Sequence, residues 1–191
     1  MLTRRGLACG SGAGLLLAGC ASPEPAVFRL TAVPGTQRRG GPRSLELRQV
    51  GIPGYLDRPE IVRGGADFRL QVLNNERWGE PLGDLVGRVL AENLMLRLPG
   101  TTVFAEGGAL RGDSNVVVEA EILRFEAGSG GTVELLAQVA MQVRDGRGGR
   151  DLRTVRLEVP GAGPGTAALV ASMSATLGRL ADAIAEMVAP G

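Results

Sequence analysis

The side chains best suited to contact another molecule lie in one stretch, residues 55–63, which reads YLDRPEIVR. It holds the only tyrosine of the chain, followed by an acid, a base and a proline. Tyrosine, tryptophan and arginine are enriched among the residues that dominate the binding energy of protein interfaces. An arginine and the only tryptophan follow one predicted strand later. If that strand folds back, the candidate partner-binding residues are Tyr55, Leu56, Asp57, Arg58, Pro59, Arg77 and Trp78.

The same stretch also has a purely structural interpretation. Pro59 restrains the backbone of Arg58 toward an extended conformation, so the residues before it cannot form a helix. An exposed ion pair between Asp57 and Arg58 contributes about 0–1 kcal/mol, which is too little to account for the motif. The residues alone therefore leave a docking edge and a well-packed turn as open alternatives.

The composition excludes several kinds of enzyme chemistry. The 191 residues include no histidine, the side chain that most often transfers protons near neutral pH. The two cysteines, Cys9 and Cys20, both lie near the N-terminus and give the later chain no thiolate ligands. We predict no catalytic residue, no metal site and no cofactor, although a carboxylate enzyme using Asp57 and Glu60 is a third alternative. The net charge of +1 gives no indication of nucleic-acid binding.

The N-terminus has the pattern of a bacterial lipoprotein signal. Arg4 and Arg5 are followed by a short apolar run that ends in LAGC, residues 17–20. In such signals, cleavage occurs before the cysteine and the thiol takes a diacylglycerol. Cys20 is therefore the predicted lipid attachment site.

Cleavage at this site divides the chain into a removed signal peptide (1–19), a lipidated tether (20–26) and one folded domain (27–191). Two or more acyl chains make a stable membrane anchor, whereas a single chain binds only marginally. Position 21 is alanine and not aspartate, which resembles the address of enterobacterial outer-membrane lipoproteins. We therefore expect a lipid-anchored protein on the periplasmic face of the outer membrane.

Hydrophobic periodicity predicts six strands and two helices. Alternating or continuous apolar runs predict strands over residues 27–33, 44–50, 67–74, 115–125, 132–144 and 154–160. Apolar residues three and four apart predict helices from Pro81 to about residue 98 and from about Thr166 to Val188. Glycine-containing turns between the last three strands predict antiparallel hairpins. The pattern indicates an α+β single domain, a mostly antiparallel sheet with two amphipathic helices packed on one face.

The second predicted helix has one large apolar stripe, and its other face is mostly alanine, serine and glycine. Such a small-residue face fits a helix buried within its own domain. It also fits a second packing face for a partner subunit. Both interpretations are open at this point.

Two motifs make a family resemblance specific. VGIPGYLDRPEIVRG (50–64) is followed after one strand by RWGEPLGDLVGRVLAENL (77–94). With the lipoprotein signal, these motifs resemble the ABC-type transport auxiliary lipoprotein family over nearly all of the mature chain. Gly79 stands where the family more usually has alanine. The matching positions are Val50, Pro53, Tyr55–Pro59, Ile61, Val62, Arg77, Trp78, Glu80–Leu82, Arg88–Leu90 and Glu92–Leu94.

The resemblance implies a non-enzymatic part of a transport system. Members of the family are anchored to the outer membrane and accompany an MCE-domain protein, a permease and an ATPase. The implied task is to dock the MCE-domain protein so that lipids move between the two membranes, and a homo-oligomer is a further expectation. The alternative is a lipid-binding carrier or chaperone lipoprotein of the cell envelope, suggested by the anchor and the two apolar-striped helices.

Overall fold

The computed structural model describes residues 24–65, 68–110, 112–128, 131–144 and 149–190. The predicted signal peptide and Cys20 lie outside these described residues. The elements before the first helix are β1 (Ala26–Phe28), β2 (Ser44–Leu47), β3 (Glu60–Gly64) and β4 (Leu70–Trp78). The others are α1 (Leu82–Arg97), β5 (Thr102–Ala105), β6 (Val116–Ala127), β7 (Val133–Val143), β8 (Arg150–Val159) and α2 (Thr166–Val188).

The strands form two sheets, of orders β5-β2-β6-β7-β8 and β1-β4-β3. The antiparallel hairpins predicted for the last three strands, β6, β7 and β8, are confirmed. However, β2 is parallel to both β5 and β6, and β1 is parallel to β4. The prediction of a mostly antiparallel sheet is therefore wrong, because both sheets are mixed. Parallel neighbours are joined by long connections, so local alternation gives no indication of them.

The α+β class is confirmed, and its elements share one hydrophobic core. Helix α2 contacts β6, β7 and β8, while α1 contacts α2 and β5. Alternation along the strands supplies this core, since Ile122 and Val139 are buried whereas Glu121 and Gln138 on the opposite face are exposed. By length and composition α2 could cross a membrane, but 61% of its most apolar window is buried in the fold. Its apolar stripe is therefore part of the core.

The predicted strand 27–33 is wrong beyond Phe28. The backbone after this residue bonds to helix side chains and not to a neighbouring strand. The Thr31 amide donates to Ser174 Oγ at 3.2 Å, and the Val33 amide donates to Asn93 Oδ1 at 3.1 Å. The segment therefore crosses the two helices as irregular chain.

This crossing segment covers the small-residue face of α2. A Cβ atom added to Gly178 would lie 2.3 Å from Val33 Cγ2, so glycine is what permits the close approach. Ser174 is also buried there. Of the two interpretations left open for this face, packing within the domain accounts for it. A partner subunit has no access to α2 at these residues.

The remaining differences concern two short strands and the bounds of β4. Strands β3 and β5, five and four residues long, were not predicted. Strand β4 begins at Leu70 and not at residue 67, and it continues to Trp78. Phe68, which lies within the predicted strand, is fully exposed in the turn before β4. Asp67 lies outside the described residues.

Candidate docking surface

The YLDRP stretch folds as a tight turn that leads directly into β3. The Leu56 amide donates to the Pro53 carbonyl at 2.9 Å, and the Arg58 amide donates to the Leu56 carbonyl at 2.9 Å. The Pro59 carbonyl then accepts the Trp78 amide at 2.8 Å. This last bond joins the motif to the end of β4, so the two segments with candidate contact residues do lie side by side.

Two of the candidate contact residues are part of the core. Leu56 is 2% exposed and Trp78 is 6% exposed. Deleting a buried side chain of these sizes costs about 2–5 kcal/mol, so both contribute to holding the turn and β4 in place. In this structure neither side chain offers surface to a partner.

Four candidate residues are exposed, and we refer to Asp57, Arg58, Pro59 and Arg77 as the motif surface. Arg58 Nε donates to Glu60 Oε2 at 3.2 Å, so Arg58 pairs with this carboxylate. Arg77 stands opposite Glu60 in the β3–β4 register. A hydrogen bond from its own backbone, then the Arg58 hydrogen bond and the charges of both arginines, lower the pKa of Glu60. The motif surface therefore presents fixed charges of both signs around a proline.

Tyr55 connects the motif to the five-stranded sheet. Its ring packs against the core, and its hydroxyl lies beside Phe125 and Glu126 of β6. Burial, and then the charge of the Glu126 carboxylate and a hydrogen bond to it, raise the pKa of Tyr55 to about 12. A charged Arg124 and a backbone hydrogen bond at Phe125 act in the opposite direction. Tyr55 therefore positions the turn and is only partly available to a partner.

The raised pKa of Tyr55 can be measured directly, because it is the only tyrosine. We expect phenolate absorbance of the folded protein to appear with a midpoint near pH 12, and that of the unfolded protein near pH 10. Because the folded pKa lies above the unfolded one, this residue's contribution to stability is complete below pH 10 and is lost as pH rises toward 12. Tyr55→Phe should remove that part of the pH dependence. A folded-state midpoint near 10 would contradict the burial of this hydroxyl.

A cleft of about 440 Å³ separates the motif from the first turn of α1. Three carboxylates, those of Asp57, Asp84 and Glu121, belong to its lining. Within the described ranges, no three histidine, cysteine, aspartate or glutamate side chains are grouped as metal ligands. The cleft therefore supplies hydrogen-bond acceptors and negative charge beside the motif surface, which suits basic side chains of a partner.

A buried polar cluster that the sequence reasoning missed holds the two helices together. Arg97, in the last turn of α1, is 1% exposed. Its Nε donates to Asp182 Oδ1 of α2 at 2.6 Å, and its Nη1 donates to the Val33 carbonyl at 3.0 Å. Asn93 Oδ1 accepts from Arg97 Nη1 at 3.1 Å and is itself fully buried. Asn93, which stands in the apolar stripe of the RVLAENL motif, was the only sequence signal of this cluster.

The comparison with known families matches most of the described chain. The family described as ABC-type transport auxiliary lipoprotein component matches residues 28–185. The chain belongs to this family. The matched region includes the motif surface, Tyr55 and the Arg97 cluster, so the resemblance that rested on the two motifs is confirmed.

Curated relatives of this lipoprotein family carry a transport name. The chain is 35% identical over 112 residues to the "Intermembrane transport lipoprotein PqiC" of Escherichia coli, and equally to that of Shigella flexneri. The alignment covers 56% of this chain and spans 60% of the length of each relative. These relatives are named as transport lipoproteins and not as enzymes, in agreement with the non-enzymatic prediction.

Solved structures support the fold of this family member. A crystal structure of an uncharacterized protein matches with a TM-score of 0.72 and 20% identity, covering 87% of this chain and 99% of that one. Protein XCC0632 from Xanthomonas campestris matches with a TM-score of 0.68 and 15% identity, covering 86% of this chain and 95% of that one. At these identities the likeness shows the fold alone.

Proposed function

We propose that the protein is an outer-membrane-anchored periplasmic lipoprotein subunit of an MCE-type ABC transport system. It docks the MCE-domain protein of that system, which works with a permease and an ATPase to move lipids between the inner and outer membranes. Cys20 carries the lipid anchor. The observation that carries the proposal is the family match over residues 28–185, which includes a rigid, charged motif surface.

The motif surface supports docking because its charged side chains are exposed on a rigid base. Leu56 and Trp78 fill the core beneath it, and the bond from the Trp78 amide to Pro59 closes the turn. Arg58 is already oriented by Glu60. Groups that are ordered before binding lose little conformational freedom when a partner arrives.

The alternative, a lipid-binding carrier, has less support among the described residues. The apolar faces of α1 and α2 are buried in the core. Five surface clefts, with volumes of about 300–440 Å³, are lined largely by charged residues and glycines. If native mass spectrometry detected a phospholipid bound to the folded domain, that result would favour the carrier function instead.

Capture of the MCE-domain protein tests the docking function. We expect the double variant Arg58→Ala with Arg77→Ala to weaken capture about tenfold or more, because two exposed charges of the motif surface are lost. The measurement is the dissociation constant between the purified mature protein and its MCE-domain partner.

A matched control is available on β8, the edge strand of the five-stranded sheet. The double variant Arg153→Ala with Arg156→Ala also removes two exposed arginines, both on β8. We expect its affinity to stay within about twofold of wild type, since scattered surface charges contribute little. Equal loss of affinity in both double variants would indicate a general charge effect and would refute docking by the motif surface.

A further inference from the structure

The small sheet fixes the direction in which its first strand runs. Strand β1 is parallel to β4, with Ala26 opposite Glu76 and Phe28 opposite Trp78. Strand β1 therefore runs from the side on which β4 begins, at Leu70, toward the side on which β4 ends. The side on which β4 begins holds the turn of the β3–β4 hairpin, and the motif surface lies at the other end of the hairpin.

The length of the tether matches the length of the hairpin. Ala26 lies six positions after Cys20, so a fully extended chain between them spans at most about 20 Å. Glu76, the partner of Ala26, likewise lies six positions after Leu70, which corresponds to about 20 Å of strand. A lipid on Cys20 can therefore reach the level of the hairpin turn and little farther.

The hairpin turn carries apolar side chains that the fold does not cover. We refer to its described residues Gly65, Phe68, Arg69 and Leu70 as the hairpin tip. Phe68 is fully exposed and Leu70 is 47% exposed. Phe68 also has a φ of 61°, in the left-handed region that bulky residues rarely adopt. An aromatic side chain held outward at such a backbone position is a feature that points to a function.

The hairpin is attached firmly to the rest of the domain. Arg63 Nη2 of β3 donates to Thr166 Oγ1, at the start of α2, at 2.9 Å. The Thr166 hydroxyl in turn donates to Glu76 of β4. At the tip, the Gly65 amide donates to the Arg69 carbonyl at 2.7 Å. The exposed apolar side chains therefore stand on a braced strand pair.

We infer that the hairpin tip is a second membrane contact, which inserts Phe68 and Leu70 into the phospholipid surface that holds the Cys20 anchor. Phenylalanine and leucine suit the boundary between headgroups and acyl chains, and Arg69 beside them suits lipid phosphates. This inference rests on the lipid anchor of the proposed function. It also orients the domain, because Arg77 lies seven positions along β4 from Leu70, up to about 23 Å farther from the membrane.

The depth of the hairpin tip can be measured on the mature, acylated protein. Cleavage removes Cys9 and acylation blocks Cys20, so Arg69→Cys supplies the only free thiol for a nitroxide label. In phosphatidylethanolamine–phosphatidylglycerol vesicles, we expect this label to collide with oxygen more often and with a water-soluble nickel complex less often than the same label on the domain without Cys20 in lipid-free buffer. Adding Phe68→Ser should lower the ratio of inserted to free tips about tenfold.

The control for Phe68→Ser changes an exposed apolar residue far from the hairpin tip in sequence. Leu152 on β8 is 63% exposed, so Leu152→Ser removes similar apolar surface elsewhere on the domain. We expect it to leave the depth of the label at position 69 unchanged. A label that stays aqueous in the acylated protein, or a control as disruptive as Phe68→Ser, would overturn the hairpin contact.

The mass of the same sample separates this failure from failure of the proposed function. An acyl mass on Cys20 with an aqueous label refutes only the hairpin contact. A mature protein without any acyl mass refutes the anchor, and the hairpin contact falls with it.

Discussion

Replacing Arg97 by alanine is expected to lower the free energy of unfolding by about 3 kcal/mol. The guanidinium is buried and donates to Asp182, to the Val33 carbonyl and to Asn93. Each buried acceptor left without a donor costs about 1–3 kcal/mol. Breaking a buried charge pair costs about 3–5 kcal/mol, and the exposure of Asp182 places the estimate at the lower end. Urea unfolding followed by tryptophan fluorescence measures the change.

Arg38→Ala is the matched control for this prediction. Arg38 also pairs with an acid of α2, but Glu186 is 60% exposed and the two atoms are 3.6 Å apart. We expect a loss below about 1 kcal/mol for this exposed pair. A second comparison, Arg97→Lys, separates the charge from the hydrogen bonds, because lysine keeps the charge but cannot donate in several fixed directions at once. If Arg97→Ala lowered the free energy of unfolding no more than Arg38→Ala does, the role of the Arg97 cluster in holding the two helices together would be refuted.

The elements that depend on local periodicity were predictable. Helix α2 was predicted from about Thr166 to Val188 and has these bounds, since its apolar stripe repeats over several turns. The β6–β7 and β7–β8 hairpins followed from alternation and glycine-containing turns. In these segments each residue's role is decided by neighbours close in sequence.

Pairings between distant segments were not predictable from the same signals. Strand β5 has only four residues and pairs in parallel with β2, more than fifty residues earlier. Residues 29–33 have the composition of a strand, but side chains of both helices take their backbone bonds. The competing partners come from positions 93 and 174, which no local pattern connects to this segment.

In the candidate site, too, the features that the sequence did not predict depend on distant segments. Residue type alone made Trp78 a candidate contact, since tryptophan is common in both interfaces and cores, but the extension of β4 buries it. Arg97 was missed for the opposite reason. Arginine in a last helical turn usually faces solvent, but Arg97 is buried. Its acceptors, Val33 and Asp182, lie 64 and 85 residues away in sequence. Of the two initial alternatives for YLDRP, the structure shows the well-packed turn, and docking by its exposed charged edge stays a prediction.

The ends of the β3–β4 hairpin can therefore have separate tasks. The hairpin tip lies at one end, and the motif surface with the adjacent acidic cleft lies at the other. A domain anchored at the hairpin tip would hold its motif surface toward the periplasm, the side from which the proposed function requires the MCE-domain protein to bind. This arrangement makes anchoring and docking experimentally separable.

Removal of the anchor is accordingly expected to abolish membrane attachment without affecting capture of the partner. Residues 21–191 are exported behind a cleavable secretory signal, so that the mature domain has no Cys20. Nearly all of this protein should appear in the soluble periplasmic fraction, because two or more acyl chains are lost and one phenylalanine with one leucine cannot replace them. Its dissociation constant for the MCE-domain protein should stay within about twofold, since the motif surface is intact.

The full-length chain and Cys20→Ala are the controls for this anchor experiment. The full-length chain should stay in the membrane fraction with an acyl mass on its N-terminal cysteine. Cys20→Ala should accumulate as a precursor that keeps residues 1–19, because both cleavage and acylation require the thiol. If the secreted domain without Cys20 stayed in the membrane fraction, anchoring by Cys20 would be refuted and the hairpin tip would be the stronger attachment. If it were soluble but no longer bound the partner, docking would require the membrane itself, and the separation of the two ends would be wrong.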